Sequence, residues 1–263
     1  MSALLPIRTV EKPWGVTVPP APFSEDAGRK IGEIWFEPPA ELKALLVKYI
    51  FTSEKLSVQV HPGGAGGKEE CWLVIDAEPG AALGIGFKQP LDAEAMRAAA
   101  LDGSIEQLLE WHKVRQGDFF YIPAGTVHAI GAGVSLIEVQ QNADITYRLY
   151  DYGRPRELHL DEGLAVAKGA KHDPSLRTHL PEHGSLVLLD GPFFRLDRVE
   201  GDAAGTPAER YRGPLLAIPL SEEISVAGTP VAPGECAMAL SLGEIRFSES
   251  GQCLLAQPCA PGA

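Results

Sequence analysis

Short apolar runs with a two-residue repeat dominate the chain, each closed by glycine, proline or a polar turn. Residues 44–61 (ALLVKYIFTSEKLSVQVH) read as two strands joined near Thr52–Lys55. Residues 70–76 (ECWLVID), 118–122 (DFFYI), 134–140 (VSLIEVQ) and 145–150 (ITYRLY) each read as one strand. Residues 91–111 (LDAEAMRAAALDGSIEQLLEW) are rich in Ala, Leu and Glu and predict two short helices around Gly103. A further helix is predicted over about 158–169, with Asp161 and Glu162 in its first turn, where acids suit the helix dipole. From residue 185 the strand pattern resumes in SLVLLD, FFRLDRV, PLLAIP, GECAMAL and QCLLAQP. The segment QGDFFYIPAG (116–125) is echoed by PGECAMALSLG (233–243), but only the first is soon followed by a histidine. The pattern predicts a mainly β protein, a sandwich or jelly roll with a helical insertion at about 91–112. A second, degenerate β unit follows, so that the expected division is 1–170 and 171–263.

Composition supports many short strands: 28 Gly and 22 Pro in 263 residues punctuate the chain densely. Lys plus Arg total 23 against 35 Asp plus Glu, a formal charge of −12. That field repels nucleic acid and anionic membrane, so neither is an expected partner. An anionic ligand therefore requires a local basic pocket. No run approaches the ~20 apolar residues of a membrane span, and the opening MSALLPIRTVEKPWG lacks the apolar core and basic leader of a signal peptide. Four cysteines (Cys71, Cys236, Cys253, Cys259) form no CxxC pair, which leads us to expect a reduced, cytoplasmic protein.

Candidate chemistry begins at Leu56–His61. Leu56, Val58 and Val60 alternate with Ser57, Gln59 and His61, and such a polar face either meets solvent on an edge strand or lines a site. The second segment, Gly117 to His128, has the form G-x5-P-x-G-x2-H: a glycine opens the strand, Pro123 and Gly125 make a tight bend, and His128 starts the next strand. This motif resembles the second motif of the cupin superfamily, although Ala132 stands where an asparagine is common. In cupins the histidine ligates a metal together with two residues one apart on a strand and a glutamate. The resemblance thus implies Gln59, His61, Glu70 and His128 as ligands, with Gln59 where a histidine is more usual. Two imidazoles, a carboxylate and an amide oxygen suit Zn²⁺, one per chain, or another first-row divalent ion, with room for water or substrate.

Longer words are more specific. KPWG (12–15), IGEIW (31–35), KYIFTSEKLSVQVHP (48–62), GKEECWLVID (67–76), GDFFYIPAGTVHAIGAGVSLIEVQ (117–140) and TYRLYDYGR (146–154) together resemble the type I phosphomannose isomerases of the short bacterial kind. The likeness spans roughly residues 10–165. It implies a cupin jelly roll carrying the metal in 1–170 and a cupin-like unit without ligands in 171–263. The implied reaction interconverts mannose 6-phosphate and fructose 6-phosphate through an enediolate. By the same resemblance Lys68, Glu138 and Arg148 are catalytic, and Lys48, Ser57 and Arg154 hold the sugar phosphate. Lys68 and Arg148 are expected over the reacting atoms. Glu138 is the candidate for moving the proton, a task that favours a pKa near neutrality.

The stretch HPGGAGGKE (61–69) is shorter than usual in that family, with glycines in place of an acidic pair, and Ala143 replaces a common serine. Taken singly, each cationic residue also fits a surface ion pair; Arg148 and Arg154 have Asp144 and Asp151 as neighbours. Trp72, Phe119, Phe120 and Tyr121 are assigned to the core, and His112, His159, His172, His179 and His183 to no functional role. Two other functions fit the same residues: a different metal-dependent cupin, such as an oxygenase or another sugar-phosphate isomerase, and a sugar-phosphate sensor without turnover. The sequence sets no oligomeric state.

Overall fold

The computed structural model describes residues 4–23, 28–202 and 206–259; the extreme ends of the two expected units lie outside them. The strands of the first part are β1 (Ile7–Val16), β2 (Ile31–Phe36), β3 (Leu45–Phe51), β4 (Val58–Val60), β5 (Glu70–Ala77) and β6 (Ala82–Phe87). Helices α1 (Ala93–Asp102) and α2 (Ile105–Leu108) follow. Then come β7 (Leu109–Lys113), β8 (Asp118–Ile122), β9 (His128–Ile130), β10 (Val134–Gln141), β11 (Tyr147–Tyr150), helix α3 (Leu160–Val166) and β12 (Arg177–His179). They build two antiparallel sheets, one of seven strands ordered β1-β2-β3-β10-β5-β8-β12 and one of five ordered β11-β4-β9-β6-β7.

The two sheets face each other. Trp14, Ile50, Trp72, Val74, Leu83, Ile85, Phe120, Ile130 and Leu136 fill the space between them. Beyond the smaller sheet, α1 and α3 cover Val58, Val60, Val127, Ala129 and Leu149 with Met96, Ala99, Ala100 and Leu164. Helix α1 starts where the Asp92 carboxylate accepts a hydrogen bond from the Ala95 N–H, and stops at Gly103, whose φ of 82° turns the chain out of the helix. The expected helix at 109–111 is instead the start of β7. Leu-Leu-Glu-Trp continues a helical repeat by sequence, but Trp111 pairs across the sheet with Gly84.

The outer face of the larger sheet is also buried. The remaining strands are β13 (Leu186–Asp190), β14 (Phe194–Glu200), β15 (Leu215–Pro219), β16 (Ile224–Val226), β17 (Thr229–Val231), β18 (Ala237–Ala239), β19 (Ile245–Arg246) and β20 (Gln252–Pro258). A five-stranded sheet, β13-β14-β20-β15-β18, packs Phe194, Leu196, Leu216, Ile218, Leu254 and Ala256 onto Leu45, Val47, Tyr49, Phe51, Leu73, Ile137 and Val139. Its other face meets the small sheet β17-β16-β19 through Val199, Leu215, Ala217, Ile224, Val226 and Leu255. Burial on both faces explains why β3 (LLVKYIF) reads as a nearly continuous apolar run rather than a clean alternation. Strand β12 pairs with β8, so the first sheet takes chain beyond residue 170, and new sheet begins only at β13.

Candidate functional site

Register places most of the predicted polar residues on the facing sides of the two sheets. In the larger sheet Trp35, Lys48, Glu138 and Trp72 lie directly opposite one another across β2, β3, β10 and β5. Glu70, two residues before Trp72 on the same face, is opposite Gln140. In the smaller sheet Arg148, Gln59 and His128 form a matching row across β11, β4 and β9. Strand β4 is flanked on both sides, so its polar face lines a site rather than an edge. The expected alternation holds from Val58 onward: Val58 and Val60 meet the helices, whereas Leu56, before the strand starts, packs between the sheets.

His61, Glu70 and His128 are all buried, and their ligand-type atoms lie within 4.8 Å of one another. His61 Nε2 is 3.5 Å from Glu70 Oε2, and His128 Nε2 is 3.4 Å from Glu70 Oε1. Each imidazole is held from behind: His61 Nδ1 is 2.7 Å from the Ile145 carbonyl, and His128 Nδ1 is 2.9 Å from the Thr126 carbonyl. Carbonyls only accept, so both Nδ1 atoms carry the hydrogen and both Nε2 lone pairs turn toward Glu70. Burial holds both histidines neutral, pushing His128 down to about 4 and His61 well below its ordinary value. Glu70 Oε1 is buried with no hydrogen-bond partner. The Lys68 ammonium lies near both Glu70 Oε2 and His61 Nε2, at 2.7 and 3.3 Å, whereas Oε1 faces the His128 lone pair, an arrangement that is unfavourable without a cation between them. The donor set therefore fits a divalent metal. Gln59 Nε2 is 3.2 Å from His128 Nε2; with its amide turned half a revolution, the oxygen faces the same point. The second β unit has no counterpart among the described residues.

Cations crowd the triad. The loop after His61 is pulled tight by Lys68 N–H to Pro62 O (2.9 Å) and Gly67 N–H to Gly64 O (2.9 Å). A Cβ on Gly67 would lie 2.4 Å from Pro62 O, so only glycine lets the loop close this far. Closure sets Lys68 Nζ 2.7 Å from Glu70 Oε2 and 3.9 Å from Glu138 Oε1. Lys48 Nζ is 3.0 Å from Glu138 Oε2, donates to Gln140 Oε1 at 2.5 Å, and stands 4.5 Å from the centre of the Trp35 ring. The Trp72 indole N–H donates to Glu138 Oε1 at 3.1 Å. Burial alone would raise the pKa of both carboxylates. It does so for Glu70, which reaches about 8 against the pull of Lys68. For Glu138, Lys48 and Lys68 outweigh burial and hold the carboxyl below the usual range. The expectation of a near-neutral Glu138 is therefore corrected: two ammonium groups keep it ionised.

Lys48, Ser57, Gln59, Lys68, Glu138 and Arg148 line one cavity between the sheets. Ser57 Oγ donates to Gln59 Oε1 at 3.1 Å, and Arg148 Nε donates to the Glu157 carbonyl at 3.1 Å. Arg154 does not line it. Its guanidinium turns to Asp151 (3.0 Å), the Lys55 carbonyl (2.6 Å) and Glu54 (3.5 Å). The cavity wall also includes Lys12, Trp14, Glu33, Trp35, Asp144 and Arg156, to which sequence reasoning gave no role. Glu33 had a visible signal, an acid inside the apolar word IGEIW; it is buried and accepts from the Trp35 indole at 2.7 Å. Trp72 is both core and cavity wall. The five histidines without an assigned role each have a local partner: Arg177 for His112, the Arg148 N–H for His159, the Tyr121 carbonyl for His172, Asp118 for His179 and Glu200 for His183.

No protein-family profile matches the chain. In sequence it is similar to mannose-6-phosphate isomerase ManA of Bacillus subtilis (strain 168), 32% identical over 235 residues, covering 80% of this chain and 74% of that protein. It is also similar to mannose-6-phosphate isomerase of Streptococcus mutans, 39% identical over 166 residues, covering 57% of this chain and 52% of that one. In structure it is similar to the crystal structure of mannose 6-phosphate isomerase from Bacillus subtilis, with a TM-score of 0.74 at 20% identity over 97% of this chain and 98% of that one. A point mutant of phosphomannose isomerase from Salmonella typhimurium gives a TM-score of 0.73 at 14% identity over 97% and 99%. At these identities the structural likeness shows a shared fold.

Proposed function

The chain belongs to the type I, cupin-fold mannose-6-phosphate isomerase family, and from that premise we propose how its cavity interconverts mannose 6-phosphate and fructose 6-phosphate. The observation that carries the reading is the buried His61–Glu70–His128 cluster, with its orphaned carboxylate oxygen, opening beside Lys48, Lys68 and Arg148. Gln59, His61, Glu70 and His128 hold the metal, which we take to be zinc. A divalent ion bound there supplies Lewis-acid stabilisation for negative charge developing on substrate oxygen.

The reaction moves one proton from C2 of the aldose to C1 and the hydroxyl proton from O2 to O1, through an enediolate. Glu138 enters ionised and accepts the C2 proton. Its low basicity at rest comes from Lys48 and Lys68, so a substrate phosphate that draws Lys48 away raises that basicity when the sugar arrives. Lys68 and Arg148 hold fixed positive charge beside the enediolate oxygens in a cavity that is partly dry. Lys48 and Ser57 orient the sugar through its phosphate, using binding energy remote from the reacting carbons. Arg154 was expected with them, but its guanidinium is engaged by Asp151, Glu54 and the Lys55 carbonyl outside the cavity. In our reading residues 1–170 carry the chemistry, while the sheet β13-β14-β20-β15-β18 of the expected second unit, 171–263, backs the sheet on which Lys48, Glu70 and Glu138 stand. No helix among the described residues is long and apolar enough to cross a membrane. Cys71, Cys236, Cys253 and Cys259 are all free thiols, and we propose a cytoplasmic enzyme on that ground.

The test is metal analysis of the purified protein with a coupled isomerase assay before and after chelation. The reading expects about one divalent ion per chain, loss of activity with its removal, and recovery on adding Zn²⁺ without any need for oxygen. Undiminished turnover by a metal-free sample ends it.

A further inference from the structure

The loop from β11 to α3 carries two arginines two residues apart, and the structure treats them differently. Tyr152 (φ 54°) and Gly153 (φ 75°) both take the left-handed conformation, turning the chain so that Arg154 N–H bonds back to the Asp151 carbonyl at 3.0 Å. His159 N–H to Arg148 O (2.8 Å) then closes the loop beside Arg148. Asp151, only 2% exposed, is the hub. Its carboxylate receives Arg156 Nε on Oδ2 and Arg156 Nη2 on Oδ1, both at 2.6 Å, while Arg154 Nη1 reaches Oδ1 at 3.0 Å.

Arg154 is spent. It also holds the Lys55 carbonyl and Glu54, and its guanidinium lies 5.5 Å from the Tyr152 ring centre. Among the described residues the Arg156 guanidinium bonds to Asp151 alone, and the residue lines the cavity with Lys48, Ser57 and Arg148. The side-on grip of Asp151 uses its Nε edge and leaves the Nη1 edge for a ligand. Arg154 also meets Glu54, so the basic lining that an anion site needs in a chain of charge −12 comes from Arg156 together with Lys48 and Arg148.

We propose that Arg156, not Arg154, is the arginine that selects the phosphorylated sugar, and that Asp151 is its positioning residue. Arg154 instead ties the loop to the Glu54–Lys55 turn. The inference rests on the isomerase reading for its substrate, but its anion chemistry is tested separately.

The experiment uses the full-length, metal-loaded protein and its R156Q, R156K, R154Q and D151N variants. Two readouts are taken: kcat and KM with mannose 6-phosphate, and titration with inorganic phosphate followed by tryptophan fluorescence, since Trp14, Trp35 and Trp72 line the cavity. R156Q is expected to raise both KM and the phosphate Kd by about 10–100-fold, the scale of a charge-assisted contact, with kcat within about threefold. R156K recovers part of the loss. D151N shifts KM in the same direction without acting on kcat, whereas R154Q weakens phosphate less than R156Q does and mainly lowers the unfolding midpoint. An unchanged phosphate Kd in R156Q, or a larger loss in R154Q, overturns the proposal. If D151N does not fold, the R156Q and R156K pair still decides the role of Arg156. Absence of turnover by the unaltered protein would refute the isomerase reading, and the phosphate titration would still rule on Arg156.

Discussion

Arg148 sits where two demands meet. Its backbone pairs with Gln59 across the sheet, which fixes its height above the metal set, and its Nε is anchored to the Glu157 carbonyl, which fixes its direction. A cation held this firmly stabilises charge without reorganising, so Arg148→Ala should lower kcat by about 10²–10³-fold while leaving metal content unchanged. Steady-state kinetics with metal analysis check this, and a loss under about tenfold removes Arg148 from the chemistry. His172 illustrates a titrating residue outside the site. It is buried, its Nε2–H donates to the Tyr121 carbonyl at 2.8 Å, its Nδ1 has no partner, and burial followed by the nearby Arg177 lowers its pKa below 6.5. The unfolded chain therefore takes up this proton more readily than the folded one. The stabilisation is complete above about pH 6.5 and drains away as pH falls through the lowered folded value. Denaturation midpoints measured from pH 7.5 to 5.5 should fall less steeply for His172→Asn than for the parent. At this scale the metal-type residues were legible because their spacing is a motif. Arg156 was not: nothing in YGRPREL tells one arginine from the other until the turn at Tyr152–Gly153 points them apart.

Among elements, the strands carrying the site were readable where glycine or proline bounded them and apolar residues alternated. Strand β6 (ALGIGF) escaped because its glycines hide the repeat, and β1 because most of its residues are exposed or half-exposed. Strand β7 was mistaken for helix because its identity depends on pairing with β6, a partner more than twenty residues away in sequence. The tight loop 62–67 is an element with a checkable role. Gly67→Ala places a methyl against the Pro62 carbonyl and forces the loop open, moving Lys68 away from Glu70. We expect activity to drop about tenfold or more, with only a modest fall in the unfolding midpoint, because residues 63–66 can yield at the surface although Gly67 and Lys68 are buried. Parallel kinetics and thermal melts separate the two effects; a large fall in melting temperature with intact kcat contradicts the assignment.

For the whole molecule, the sequence announced a second β unit but not where its apolar face goes. The five-stranded sheet lies flat against the back of the larger first-part sheet, so one continuous core joins them through Leu254, Leu196, Tyr49 and Ile137. Alternation alone does not reveal this, since a strand buried on both faces loses its period. Leu254→Ala, at a fully buried position of that shared core, should cost about 2–5 kcal/mol. Denaturant unfolding should remain a single transition whether followed by tryptophan fluorescence, whose four reporters all lie in the first part, or by far-ultraviolet circular dichroism, which reports on both. Two separated transitions would show that the halves fold independently.

The carbonyls of Ile145 and Thr126 behind the two imidazoles have a consequence for mutagenesis. Because both clamps are main-chain oxygens, no side-chain replacement at 145 or 126 deletes them, and each ring keeps the same nitrogen turned inward. The tautomers are thereby insulated from sequence drift at those two positions.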